Sequence, residues 1–353
     1  MKYIPSLDAI MLKSSLYLKS LTLAAMLLGA GSSAKATLVG HWLNGGANLT
    51  DASGFTTAGT HDGVAVGPNA GLLAYSSDVP IGFTGQSLSL VGNVAVSIAN
   101  SSSADGGTYQ NTFDGGISSA CSIAFWAKGF PGGWSPWVAK RGEGGIGWQV
   151  RRMAGDTIAG FTVRGVANDD GWGSAINVAA GQPAWRHYAA VWNQAAGTRD
   201  LYIDGVFSHT VTSTPGDDMS LAAAHRLVLG GRTDGAGSGY EGYFTGNLYD
   251  VRIYDTSLTQ PDVAALTLPA ATGLAAVPGN GKVGLSWTSL PSATNYTVLT
   301  KDTVTNVEET DTASSALFEK TGLVNGRSYL FKVRANNGAV NGPYSAELGA
   351  TPQ

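Results

Sequence analysis

The sequence predicts an all-β protein made of two consecutive antiparallel sandwiches, and three observations carry that expectation. Charged residues make up only 13% of the 353 residues while glycine occurs 49 times, a balance that suits strands joined by many turns and disfavours a helical bundle. Runs of strand length recur between turn signals along most of the chain. The clearest is Trp185-Arg-His-Tyr-Ala-Ala-Val-Trp-Asn193, followed by the polar Gln194-Ala-Ala-Gly-Thr-Arg-Asp200 and then Leu201-Tyr-Ile-Asp-Gly205. That is a strand, a loop, a strand and a tight turn, since Asp-Gly tolerates the positive φ values a hairpin demands.

In chain order, the first element is an export signal. Lys13 and Lys19 precede the short apolar core Leu21-Thr-Leu-Ala-Ala-Met-Leu-Leu-Gly29, and Ala34-Lys-Ala36 fits a small-x-small cleavage site. The apolar core is too short for a stable membrane span. The chain is therefore expected to be secreted, extracellular or held at the cell surface. Without residues 1–36 it carries 17 basic and 24 acidic side chains, a net of −7. With no basic cluster it lacks the electrostatic footprint of a nucleic-acid binder. The single cysteine, Cys121, has no internal disulfide partner and reads as a small buried hydrophobe before the strand Ile123-Ala-Phe-Trp126.

Residues 37–268 form the first sandwich. Leu38-Val-Gly-His-Trp42 is its opening strand, and a loop rich in Gly, Asn, Thr and Asp runs through Asp51-Ala-Ser-Gly54 to His61-Asp-Gly63. Strands follow at residues 83–91, 122–128, 147–153, 158–166, 185–192, 201–203 and 225–229. The last is Gly246-Asn-Leu-Tyr-Asp-Val-Arg-Ile-Tyr254. Residues 269–273 are a short Ala-rich linker, and 274–353 are a second domain.

Trp42 with Asp51-Ala-Ser-Gly54, Phe125-Trp-Ala-Lys128, the Trp185–Asn193 strand answered by Leu-Tyr-x-Asp-Gly, and the closing Asp-Val-Arg-Ile-Tyr all occur in order. Together they resemble the laminin-G-like, concanavalin-type jelly-roll domains. The resemblance implies a two-sheet jelly roll, a short capping helix at Leu258-Thr-Gln-Pro-Asp-Val-Ala-Ala-Leu266 and a structural place for His187. In the second domain, Pro278, Trp287, Tyr296-Thr-Val298, Leu323, Tyr329-Leu-Phe-Lys-Val-Arg-Ala335, Gly338 and Ser345 resemble a fibronectin type III domain. In such an immunoglobulin-like sandwich Trp287 would fill the core and Tyr329 would anchor a tyrosine corner.

Catalysis draws little support from the residues. Glycanases of the concanavalin type carry paired carboxylates on one strand, whereas residues 37–268 hold only Glu143 and Glu241, both in Gly-rich loops without a partner at strand spacing. Lyases of this fold use a Gln-x-His strand and a Tyr near an Arg, which no segment reproduces. The five histidines never fall at zinc-ligand spacing. Neither a Gly-x-Ser-x-Gly elbow nor a phosphate loop occurs. The expectation is a protein that is not an enzyme.

Binding is expected from tryptophans in Gly-rich loops. Trp134 follows Gly132-Gly133 and Trp172 lies between Gly171 and Gly173, so both read as exposed rings on which the C–H faces of sugars stack. Gln149, Arg151 and Arg164 fall at polar positions of alternating strands and would line one sheet face beside them. Arg232 and Tyr240 bound a second polar loop. Trp126, Trp185 and Trp192 are assigned to the core. The laminin-G resemblance further implies a structural Ca²⁺ near the sandwich rim, with Asp51 and Asp250 as carboxylate ligands. Leu43-Asn-Gly-Gly46 stands where many relatives have an acid, which thins that ligand set and leaves turn capping as the alternative role of both aspartates. The function expected from sequence is an exported, non-catalytic binding protein for a glycan or an extracellular protein. Its alternatives are an adhesive matrix protein and a divergent glycoside hydrolase or polysaccharide lyase.

Overall fold

A computed structural model of the chain describes residues 36–43, 45–55, 61–98, 120–133, 135–140, 147–153, 158–164, 176–177, 182–212, 225–338 and 340–353. Residues 1–35 of the expected export signal lie outside the described residues.

The fold is all-β, as the composition and turn spacing predict. The first strands are β1 (Leu38–Trp42), β2 (Gly63–Val66), β3 (Ala74–Ser76), β4 (Ser87–Leu90), β5 (Ala95–Ile98), β6 (Ala120–Lys128), β7 (Pro136–Lys140) and β8 (Gly147–Arg152). They continue with β9 (Ile158–Arg164), β10 (Ile176–Asn177), β11 (Arg186–Asn193), β12 (Thr198–Ile203), β13 (Val206–Thr212) and β14 (Leu227–Leu229). A small hairpin of β15 (Arg232–Thr233) and β16 (Tyr240–Glu241) then leads to β17 (Gly246–Tyr254). Eight of these strands make one antiparallel sheet in the order β13-β12-β11-β6-β17-β4-β3, with β1 also on β17. Seven make the facing sheet, β10-β9-β8-β7-β14-β5-β2.

Period-two alternation explains the packing. On β6, Cys121, Ile123, Phe125 and Ala127 enter the core between the sheets, where they meet Trp137, Trp148, Tyr188 and Trp192. Trp126 and Lys128, on the other parity, face outward. The Asp-Gly turn between β12 and β13 has φ of 51° at Asp204 and 77° at Gly205, the conformation expected of it. Several short strands escape the sequence pattern: β2, β3, β5, β7, β13 and the β15–β16 pair. Each is set by pairing with a neighbour more than by its own residues. The strand expected at 83–91 is only β4, because Phe83 to Gln86 turn into it instead.

Helix α1 (Gln260–Ala265) occupies the place of the expected capping helix. Thr259 caps it: its main-chain N–H donates to Asp262 Oδ2 at 3.0 Å, its hydroxyl accepts from Asp262 N, and Pro261 fits the first turn. Val263 packs with Leu258, Tyr202 and Tyr254 over the outer face of the eight-stranded sheet.

The C-terminal sandwich has a core of its own. Its strands are β18 (Ala275–Gly279), β19 (Lys282–Ser286), β20 (Asn295–Asp302), β21 (Glu308–Ala313), β22 (Leu317–Thr321), β23 (Tyr329–Asn337), β24 (Val340–Tyr344) and β25 (Leu348–Ala350). They form sheets β18-β19-β22 and β21-β20-β23-β24, with β25 on β23. Trp287 packs edge-on to Tyr296 at 5.2 Å among Val283, Val298, Phe331 and Val333. Tyr329 Oη accepts a hydrogen bond from Val324 N at 3.0 Å, closing the expected corner. The short linker is packed: Pro269 and Ala271 are buried, and Ala271 joins the C-terminal core.

Candidate functional site

Register places a row of residues across six strands of the seven-stranded sheet. Val64 pairs with Ser97, Ser97 with Val228, Val228 with Ala139, Ala139 with Gln149, and Gln149 with Thr162. Their neighbours Val96, Leu229, Val138, Val150 and Phe161 fill the core, so this row lies on the outer face. Arg151 belongs to the next row on the same face, opposite Pro136 and Gly160.

Polar side chains converge there. Tyr240 Oη donates to Ser97 Oγ at 2.9 Å, which brings the β15–β16 hairpin over the row three strands, roughly 14 Å, from Gln149. Arg232 Nε donates to Glu241 Oε1 at 3.1 Å. A side chain built on Gly242 would have Arg232 and Pro136 each at 3.5 Å, so Arg232 reaches the edge of the Arg151 row. Beneath the hairpin, His225 Nδ1 and Thr233 Oγ1 lie 2.8 Å apart. Gln149 and Thr162 are only 1% and 0% exposed, and Gln149 Oε1 and Thr162 Oγ1 have no hydrogen-bond partner. Two such groups side by side cost about 1–3 kcal/mol each.

Of the residues expected to bind a ligand, Gln149, Arg151, Arg232 and Tyr240 are thus brought to one face, though as a largely buried floor and not as exposed contacts. Arg164 is on β9, opposite Gly147, but its side chain lies outside the described residues. Trp134, Trp172 and Glu143 also lie outside them. Ser97 and Thr162 were not singled out from sequence, because a lone hydroxyl in a short strand carries no signal until the register is known.

Asp51 and Asp250 do not fit a shared calcium site. Asp51 Oδ1 accepts from the N–H groups of His41 and Ser53, both at 2.9 Å, and Oδ2 accepts from Ser53 Oγ at 3.0 Å. Burial pushes its carboxyl up, but His61 and these donors outweigh it and hold the pKa below the ordinary value. Asp250 Oδ1 lies 2.7 Å from His41 Nε2 and accepts from Arg252 Nε at 2.8 Å. Burial opposes its ionisation, yet Arg252 and His41 bring its pKa down to about 2. A dication beside that guanidinium would be repelled, and no group of three or more His, Cys, Asp or Glu suited to a metal occurs among the described residues.

Sheet order and strand register together describe a two-sheet jelly-roll sandwich. Residues 102–264 match the model of the concanavalin A-like lectin/glucanases superfamily. Among solved structures, domain 4 of AbnA, a GH43 extracellular arabinanase from Geobacillus stearothermophilus in complex with arabinotriose, is 20% identical with a TM-score of 0.45, covering 66% of this chain and all of its own. A native heptameric SAP-like pentraxin from Limulus polyphemus is 19% identical with a TM-score of 0.33, over 42% of this chain and 70% of its own. An Fn3-like protein from Clostridium thermocellum is 27% identical with a TM-score of 0.23, over 24% of this chain and 94% of its own. No curated protein matches the chain.

On the other side of the concanavalin-like sandwich, the structure corrects the assignment of two tryptophans. Trp192 is core, but Trp126 and Trp185 are partly exposed on the outer face of the eight-stranded sheet. Trp126 follows the outward parity of β6, and Trp185 shares the parity of Ala189 and Val191, which face outward from β11. Phe83 packs edge-on to Trp126 at 5.3 Å and to Tyr249 at 5.6 Å, and His187 lies against Trp126 at 5.3 Å. His187 is 2% exposed, and burial brings its pKa down to about 3, so it is neutral and built into the sheet.

Proposed function

We propose that this chain is an exported, non-catalytic carbohydrate-binding protein whose outer seven-stranded face holds the glycan, with the C-terminal sandwich as a fibronectin type III-like spacer. The observation that carries the reading is the pair of buried, partnerless acceptors on Gln149 and Thr162 beside Arg151. These groups make a polar floor under the face, and the partly exposed Arg232, Tyr240 and Glu241 above it carry the donors and acceptors that sugar hydroxyls pair with. Support for export comes from the succession of basic, apolar and small residues along the sequence of residues 13–36. A non-catalytic role is supported by Glu241, which is engaged by Arg232 and has no second carboxylate beside it in the sequence.

A glycan array of the full chain, with a product assay on every hit, tests this. Gln149→Leu should abolish at least one class of hit while raising stability by about 1 kcal/mol, since it removes a buried carbonyl that has no donor. If every wild-type hit survives in that variant, the face is a structural floor and the reading fails. Turnover of a bound glycan would show an enzyme instead.

An adhesive role has one observation in its favour. Val277 and Leu317, on the three-stranded C-terminal sheet, are 72% and 68% exposed. Val277→Lys together with Leu317→Lys would weaken attachment to a protein matrix if that role holds, and would leave glycan hits unchanged.

A further inference from the structure

A second cleft lies where the C-terminal sandwich meets the outer face of the eight-stranded sheet, on the far side of the jelly roll from Gln149. It encloses about 390 Å³, within the ~300–1,000 Å³ of small-molecule sites. Trp126 and Trp185 line it from the sheet side, Ile81 from the loop before β4, and Pro269, Leu290 and Pro291 from the linker and the C-terminal sandwich. The two domains touch beside it: a side chain on Gly82 would lie 3.1 Å from Pro269 Cγ and 3.5 Å from Leu290 Cδ2.

Its charged lining group, Lys128, and the Trp185 ring share one partner, Asp78, which stands beside the lining. Trp185 Nε1 donates to Asp78 Oδ1 at 2.9 Å, and Lys128 Nζ donates to Asp78 Oδ2 at 2.6 Å. That network ties the Trp185 indole to Lys128, and both line the cleft. The Lys128 hydrogen bond holds the Asp78 carboxyl below its ordinary pKa, so it stays an acceptor at neutral pH. Both side chains of the ion pair remain more than a third exposed, at 35% and 41%, so each keeps unused hydrogen-bonding capacity toward the opening. Ile81, 86% exposed, leaves a large aliphatic group at the mouth.

Indole rings next to an acceptor and a donor that neutralise each other select a particular chemistry. The rings favour a flat C–H surface. Adjacent hydroxyls donate to a carboxylate and accept from an ammonium at the same time. A charged ligand gains little, because either sign meets a like charge in the pair. We propose that this cleft binds a neutral saccharide unit stacked on Trp185 and Trp126, with its hydroxyls shared between Asp78 and Lys128. The site shares no residue with the seven-stranded face, so either fails independently of the other. With both occupied, one molecule bridges two glycan chains and gains avidity from two weak contacts.

Tryptophan fluorescence and calorimetric titration of the full chain with cellohexaose, xylohexaose, arabinohexaose, maltohexaose and laminarihexaose test the assignment. At least one probe should quench the fluorescence and bind with a Kd of about 10 μM to 10 mM. Trp185→Ala should weaken that binding about tenfold or more, or roughly 1.4 kcal/mol. Ser292→Trp should do the same by filling the cleft from the C-terminal side at an exposed position that leaves the jelly roll intact. Val304→Lys, at an exposed position of the C-terminal sandwich that does not line the cleft, should leave the titration unchanged. Failure of all five probes, or unchanged quenching and affinity in either cleft variant, overturns the proposal. Loss of array hits in Gln149→Leu alone would still support the first site.

Discussion

Asp250 is held in a left-handed conformation, φ 54°, at a bulge of β17 between Tyr249 and Arg252. The bulge turns its carboxylate toward His41 of β1 and the guanidinium of Arg252. Asp250→Ala leaves Arg252 without its partner in a mostly buried site and should cost about 3 kcal/mol in denaturant unfolding. Its folded pKa of about 2 lies below the ordinary 3.8. The stabilisation it supplies is therefore complete above pH 3.8 and is lost as the pH falls toward 2. His187 acts in a higher window. Its folded pKa of about 3 lies below the ordinary 6.5, so between those values the unfolded chain takes up a proton that the fold refuses. Stability should decline as pH falls from 6.5, by up to about 1.4 kcal/mol per pH unit, and the slope should flatten in His187→Gln. Melting temperatures across that range check it. His187 was legible in the sequence as scaffold. The Trp126 and Trp185 rings were not legible as surface, because a tryptophan in a strand looks the same whether its parity points in or out.

At the scale of elements, the strands that could be read were those whose pattern is self-sufficient. The β11–β12 run ends in its own Asp-Gly turn, and Asp204 secures it by accepting from His187 N at 3.0 Å and pairing with Arg186. Helix α1 carries its own cap in Thr259 and Asp262. Strands such as β2 and β3 have no such signal, since three or four residues gain most of their stability from neighbouring strands. A close backbone approach was equally invisible. Gly85, φ 95°, sits so near Gly45 that a Cβ would fall 2.1 Å from the Gly45 carbonyl oxygen. Because that neighbour is backbone, relief requires moving the Gly45–Gln86 bridge. Gly85→Ala should destabilise by roughly 2–4 kcal/mol in chemical denaturation, more than an exposed turn glycine would.

At the scale of the whole molecule, the jelly-roll core and the C-terminal core lie on either side of a packed linker. Trp287 belongs entirely to the C-terminal one, so Trp287→Ala should remove about 3–5 kcal/mol from that sandwich alone. Calorimetry should then show the C-terminal transition shifted and the jelly-roll transition unmoved; a single transition shifting as one would mean the sandwiches unfold together. By itself the sequence determined the class of each sandwich, because alternation, turn residues and composition act locally and survive without knowledge of partners. It also placed Gln149, Arg151, Arg232 and Tyr240 among the candidate binders. Only the tertiary structure decided which of these share a face, that Asp51 and Asp250 answer to protein donors, and that Trp126 and Trp185 open onto a cleft. Those outcomes depend on register between strands far apart in the chain and on where the second domain packs, and no local pattern encodes either.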